Sequence, residues 1–282
     1  MQVTAIFRAL AMVPALLLFA AVGYCQPALT AASAHYGFFQ DGKPVGEGDY
    51  ALQTTSSGYT ITSHGKLNLT KFSYSFTNTQ VLDTSLNLVR DQLDGTVNGS
   101  TVSFTAASDS TGRQFQISIS ANGKQTQNTV DRHQHLVLLP DLDPAAYLLL
   151  AHVAQENPRT SWILIPKEDG ILVPSTITLG TGVRGELKGS QINVQHATVA
   201  VNSENPIDID IFYTPDGQVL EADLPQQNFQ VVRDGFKLLE HPKESAPRAQ
   251  PQSPQSSNRS STKPSPQRFP APQGAYPQTE EQ

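Results

Sequence analysis

The feature that most constrains the fold of this 282-residue chain is a period-two alternation of apolar and polar residues between residues 33 and 238. The clearest runs are Phe72-Ser73-Tyr74-Ser75-Phe76, Phe115-Gln116-Ile117-Ser118-Ile119 and Ile207-Asp208-Ile209-Asp210-Ile211. Because successive side chains of a β-strand point to opposite faces, each run builds one apolar and one polar face. The pattern predicts a mainly all-β protein, an antiparallel sheet with one face buried and the other in water.

Short turn signals separate these runs. Asp or Asn followed by Gly tolerates positive φ angles and favours tight hairpins. We predict turns of this kind at Asp41-Gly42, Asp94-Gly95, Asn98-Gly99, Asn122-Gly123 and Asp216-Gly217. Together with the alternation, the turn signals predict about eleven to thirteen strands.

One segment, from Asp143 to Ala154, lacks the alternation and is rich in helix formers. Asp143 is a good N-cap, Pro144 suits the first helical turn, and Asn157-Pro158 is a stop signal. We therefore expect one helix here, amphipathic or largely buried. It would separate a first β half, about residues 33–139, from a second, about residues 161–238.

The first 25 residues have the composition of a secretory signal peptide. They contain one basic residue, Arg8, then an apolar run from Ala9 to Gly23. That run holds about 15 residues, short of the roughly 20 that a membrane-spanning helix needs. We expect an exported protein, periplasmic or extracellular, without a membrane span.

Cys25 is the only cysteine, so no disulfide can form within the chain. Cleavage after Cys25 would leave a mature protein that begins at Gln26. Lipidation of Cys25, as in bacterial lipoproteins, is the alternative, although Tyr24 departs from the small residue expected before such a cysteine. We expect cleavage, and hence a protein without a lipid anchor.

The body of the chain is acidic. Residues 26–240 contain 13 Lys and Arg against 22 Asp and Glu, a net charge of −9. Such a surface repels phosphate groups, which argues against nucleic acid as a partner and against electrostatic docking on anionic membranes.

The last 42 residues differ in kind from the body. Residues 241–282 contain nine prolines and seven glutamines, and they show no helical or strand periodicity. Segments with so little apolar surface cannot offset the entropy of ordering, so we expect a disordered tail that acts as a spacer. The predicted organisation is a signal peptide (1–25), a β-rich domain (26–240) and a Pro/Gln-rich tail (241–282).

Few residues suggest catalysis. Val81-Leu82 followed by Asp83-Thr84-Ser85 is similar to the active-site loop of aspartic proteases. Those enzymes need two carboxyl groups that share a proton, and the chain has no second copy of the loop. Asp208 and Asp210 have a spacing that could serve glycoside hydrolysis or calcium binding, but they are also the polar face of an alternating strand.

Asp131, His133 and His135 are the candidate metal ligands. At alternate positions of a strand, these three side chains would share one face and could hold zinc or copper. A closed structural zinc site needs a fourth ligand, and no cysteine or glutamate cluster supplies one. We favour a polar strand face here, and we predict no metal and no cofactor.

The order of turns and hydrophobic rows resembles that of exported bacterial domains of unknown function. The segments that carry the resemblance are Tyr36–Gly48, with its Asp41-Gly42-Lys43-Pro44 turn, Ile209–Leu220, and Phe229–Phe236. The resemblance implies an open β half-barrel like that of periplasmic lipoprotein carriers. In that fold a curved antiparallel sheet wraps a helix, here Tyr147–Ala154, and its concave apolar face can hold an acyl chain.

Three functions are compatible with these observations. The first is a non-enzymatic envelope protein that binds a hydrophobic ligand or a lipidated partner in the half-barrel. The second is a structural or assembly scaffold tethered through residues 241–282. The third, a hydrolase, is the least favoured because the usual catalytic motifs are missing. An open pocket beside the 143–155 helix would favour the first.

Overall fold

The computed structural model describes residues 31–158, 160–167 and 170–242, which form seventeen β-strands, one α-helix and one 3₁₀ turn. The predicted number of strands, eleven to thirteen, is wrong, because several strands are too short to show alternation in the sequence. The predicted signal peptide and nearly all of the Pro/Gln-rich tail lie outside the described residues.

Nine strands precede the helix. They are β1 (Ala32–Gln40), β2 (Lys43–Thr55), β3 (Gly58–Leu69), β4 (Phe72–Leu82), β5 (Leu88–Val97), β6 (Ser100–Ser108), β7 (Gln114–Ala121), β8 (Lys124–Asp131) and β9 (Leu136–Leu138).

The helix, α1, comprises Pro144–Glu156, and eight further strands follow it. They are β10 (Ser161–Ile165), β11 (Ile171–Leu179), β12 (Val183–Leu187), β13 (Ser190–Val201), β14 (Ile207–Tyr213), β15 (Val219–Leu224), β16 (Phe229–Arg233) and β17 (Phe236–Leu238). The 3₁₀ turn, Pro225–Gln227, connects β15 to β16.

The strands on both sides of the helix belong to one main sheet. Its order is β9-β10-β11-β13-β14-β15-β16-β1-β2-β3-β4-β5-β6-β7-β8. β1 joins the two halves because it pairs with both β2 and β16. All pairs are antiparallel except β9 with β10, which confirms the predicted antiparallel sheet.

The sheet is strongly curved but open, with β8 and β9 as its edges. In the described part of the chain no ladder joins these two strands. The curvature brings the β10–β11 turn against the inner face of β7, since a Cβ on Gly170 would lie 3.1 Å from Cδ1 of Ile117. The result is a barrel-like wall with one unpaired seam.

A small second sheet covers part of the outer face. β12 pairs with the first half of β13 and with β17, so β13 belongs to both sheets. Its contacts form a separate apolar cluster that includes Val194, Phe212, Leu220 and Phe236. Leu220 reaches this outer cluster because the register of β14 and β15 shifts beside Phe212, as in a β-bulge.

The helix lies on the concave side of the main sheet, where it contacts β2, β3, β9, β11, β13, β14 and β15. Every residue from Pro144 to Ala154 is buried, as expected for a helix that is apolar on all sides. The Asp143 carboxylate accepts a hydrogen bond from the Ala145 amide (2.9 Å), and Asn157 ends the helix in the left-handed conformation. Both predicted helix signals are confirmed.

Four of the five predicted Asx-Gly turns join consecutive strands: Asp41-Gly42, Asn98-Gly99, Asn122-Gly123 and Asp216-Gly217. The prediction for Asp94-Gly95 is wrong, because both residues lie inside β5. Gly95 is required there by space, since a Cβ would lie 2.5 Å from the carbonyl oxygen of Ser75 on β4.

Candidate functional site

The three candidate metal ligands do not share a strand face. β8 ends at Asp131, so His133 and His135 lie in the loop that follows it. Asp131 accepts a hydrogen bond from Gln114 (3.0 Å), His133 stacks on Trp162 (3.9 Å between ring centroids), and His135 pairs with Glu156 (3.0 Å). Their expected common face is therefore wrong, and the described residues contain no cluster of three His, Cys, Asp or Glu suited to a metal ion.

Asp83, the residue of the protease-like motif, organises its own loop. Its Oδ1 accepts hydrogen bonds from the backbone amides of Ser85 (2.8 Å) and Asn87 (2.9 Å). Arg132 lies 3.7 Å from the other carboxylate oxygen. The Asp83 carboxylate thus stabilises the turn between β4 and β5 by accepting hydrogen bonds from its backbone amides.

Asp208 and Asp210 also have separate partners. Asp208 accepts a hydrogen bond from the Gln226 side chain (2.9 Å). Asp210 accepts a hydrogen bond from Thr198 (2.6 Å) and lies 3.0 Å from Nε2 of His196. The effect of these contacts exceeds the opposite effect of burial, so the pKa of Asp210 lies below its usual value. The two carboxylates stabilise the outer face of the sheet individually.

A cavity of about 660 Å³ lies at the end of the barrel where α1 begins. The walls are mainly apolar, and side chains from both halves of the chain contribute to them. The main apolar contributors are Leu67, Phe72, Leu142, Tyr147, Ile209 and Phe229. Ile171, at the start of β11, also lines the cavity and is 38% exposed, unusual for a large apolar side chain. The sequence does not show whether a pocket beside the helix is open or filled, and the structure contains an open one.

Polar residues lie at one side of the cavity, on the loop before α1, the β10–β11 turn and the β13–β14 loop. Among them Lys167 and Asp141 form an ion pair of 2.7 Å, and Glu204 lines the same wall. Because both partners of the ion pair are half-exposed, their contact is weak and can open at little cost.

The helix end beside the cavity is fixed by a buried polar contact. Asn78 on β4 donates a hydrogen bond to Oδ2 of Asp143 (3.0 Å), while Oδ1 of Asp143 caps the helix. Asp143 is fully buried, and burial raises its pKa despite these hydrogen bonds. The position of Leu142 and Tyr147 in the cavity wall therefore depends on a cap that joins α1 to β4.

Asp91 and Gln80 extend this polar row along the inner face of β4 and β5, where they are direct cross-strand neighbours. Neither side chain has a hydrogen-bond partner within the described protein. Burial, followed by the nearby Asp143 carboxylate, raises the pKa of Asp91 well above its usual value. The charged form of Asp91 is therefore disfavoured in the folded protein.

Sequence reasoning did not identify the cavity residues. Leu67, Phe229 and Ile171 are ordinary members of alternating strands, and nothing in their local pattern separates a cavity wall from a packed core. Tyr147 was recognised only as part of the helix. The sequence feature that could have located the cavity is the predicted helix, because the cavity lies at the N-terminal end of that helix.

Comparisons with known proteins support the fold. No protein-family model and no curated protein sequence matches the chain. A crystal structure of a β-barrel-like protein of the domain of unknown function DUF1849, from Brucella abortus, is similar to it. The similarity has a TM-score of 0.51 at 13% identity and covers 76% of this chain and 99% of that one. At this identity the similarity shows a shared fold alone, and that fold agrees with the predicted curved antiparallel half-barrel.

Proposed function

We propose that this protein is a non-enzymatic, exported binding protein that holds a hydrophobic ligand in the cavity beside α1. The observation that carries the proposal is the open, mainly apolar cavity of about 660 Å³ beside the buried helix α1. This volume lies within the range of about 300–1,000 Å³ that is usual for small-molecule sites.

The energetics favour a flexible apolar chain. Each methylene group transferred from water into the cavity contributes about 0.8 kcal/mol, so eight of them supply about 6 kcal/mol before the costs of association. Ile171 offers an apolar surface at which such a chain can enter. We expect affinities in the micromolar range for chains of about ten to twelve carbons.

The absence of catalysis is part of the proposal. Asp83, Asp208 and Asp210 each serve local hydrogen bonds, which supports a structural role for them. A scaffold role would place the interaction in residues 241–282, so a ligand test on the β domain distinguishes the two proposals.

The test is a fluorescence titration of the full chain with N-phenyl-1-naphthylamine, a dye that becomes bright in apolar surroundings. We expect saturable binding of one dye per chain, displaced by dodecane. Absence of saturable binding would refute the proposal.

A matched pair of variants locates the site on β11. Ile171→Glu replaces apolar surface of the cavity wall with a charge and should weaken dye binding about tenfold, because the bound dye would have to cover a solvated carboxylate. Leu179→Glu, at the exposed other end of β11 (48% exposed), should leave dye binding unchanged. Equal effects of the two substitutions would place the dye elsewhere.

A further inference from the structure

Tyr147 gives the cavity a specific polar contact. It lies in the first turns of α1, lines the cavity and is 1% exposed. No hydrogen bond joins its hydroxyl group to another described residue, and this hydroxyl is not one of the enclosed polar atoms without a partner, so it keeps accessible surface. A hydroxyl group that has no protein partner and lies on a residue of the cavity wall is suited to a ligand atom that accepts a hydrogen bond.

The charges near this hydroxyl group are negative. Asp141 and Asp143 are close enough to act on Tyr147, and together with burial they raise its pKa above the usual value. Tyr147 therefore stays protonated and can donate. Lys167, the cation of the cavity wall, is already paired with Asp141. The cavity wall contains two acidic residues, Asp141 and Glu204, against one cation, Lys167, so its polar side has a net negative charge and disfavours an anionic head group.

We propose that the ligand is an acyl chain whose polar group is an uncharged hydrogen-bond acceptor, such as an ester carbonyl, and that the Tyr147 hydroxyl donates to it. This inference rests on the proposed function and deepens it, because it separates neutral acyl esters from free fatty acids as the ligand class. Tyr147 acts here as a specificity-determining residue, while the apolar walls supply most of the affinity.

The experiment uses three probes with the same chain length against the full protein: methyl laurate, laurate and dodecane, each in competition with the dye at pH 7.5. We expect methyl laurate to bind at least fivefold more tightly than laurate. Tyr147→Phe should weaken methyl laurate binding by about fivefold, the usual loss for one hydrogen bond, and leave dodecane binding unchanged. Unchanged dodecane binding also shows that the variant folds.

The control is Tyr74→Phe, which removes the hydroxyl of a second buried tyrosine near Asp141 and Asp143 that is outside the cavity wall. This variant should keep the wild-type preference for methyl laurate. Laurate binding as tight as methyl laurate, or a Tyr147→Phe protein with the wild-type preference, would overturn the inference while leaving the proposed function intact. Failure of dodecane and dye to bind the wild-type protein would refute both.

Discussion

Glu221 and Asp223 form a pair of carboxyl groups on the outer face of β15. Glu221 is buried beside the β-bulge, accepts a hydrogen bond from Gln230 (3.4 Å), and faces Asp223 two residues along the strand. Burial, followed by the Asp223 charge, raises the pKa of Glu221 to about 8, and burial also raises the pKa of Asp223. The folded protein therefore retains a proton that the unfolded chain releases near pH 4–5.

This pair makes stability depend on pH. Because the folded pKa is raised, its stabilising contribution is complete below about pH 4.3 and is lost as the pH rises through about 8. The free energy of unfolding should fall by up to about 1.4 kcal/mol per pH unit in this window. Urea denaturation of Glu221→Gln between pH 5 and 9 should give a shallower fall than wild type. Asp94→Asn, which changes an exposed carboxylate, should keep the wild-type slope, and an equally steep fall in Glu221→Gln would contradict the assignment.

Asp91 gives a second prediction in which the free energy of unfolding falls as the pH rises. Its carboxyl group is fully buried without a hydrogen-bond partner in the described protein, so the charged form is costly. Asp91→Asn should raise the free energy of unfolding at pH 9 and change it little at pH 4, where both side chains are neutral. Urea midpoints at the two pH values provide the comparison. A destabilised variant at pH 9 would show that the carboxylate has a stabilising partner.

At the scale of elements, the helix is the part of the fold that the sequence predicts best. Asp143, Pro144 and Asn157 are local signals whose effects need no distant partner, and the structure places α1 between them. β9 and β17 each have three residues, too few to display an alternation, and such short strands explain why the predicted number of strands was too low. The turn prediction at Asp94-Gly95 was wrong because the same dipeptide suits either a turn or a close approach between two strands.

The cap of α1 can be tested by Asp143→Ala. The substitution removes the hydrogen bond to the Ala145 amide and leaves the Asn78 side chain without its acceptor. We expect a loss of about 2–4 kcal/mol in the free energy of unfolding, combining a lost N-cap with an unpaired buried donor. Asp141→Ala, which breaks a half-exposed ion pair two residues earlier, should cost less than about 1 kcal/mol. Similar losses in both variants would argue against the cap as the main contribution.

At the scale of the whole molecule, the cavity results from long-range pairing. β1 bridges β2 and β16, and the resulting curvature brings Phe72 and Phe229 around the start of α1. Alternation predicts which side chains point inward, but it does not contain the order of the strands or the curvature of the sheet. The residue pattern therefore predicts an antiparallel sheet and one helix, and the open half-barrel is implied only by the resemblance to exported bacterial domains. The place and size of the cavity follow only from the structure.

The most direct test of the account is a crystal structure of the protein grown with 1-bromododecane, with the bromine located by its anomalous scattering. If the cavity binds a hydrophobic chain, a bromine peak and continuous chain density will lie inside it, between Tyr147 and Phe229. A cavity filled by the protein's own side chains, with no bromine peak within it, would contradict the proposal that this β half-barrel binds a hydrophobic ligand.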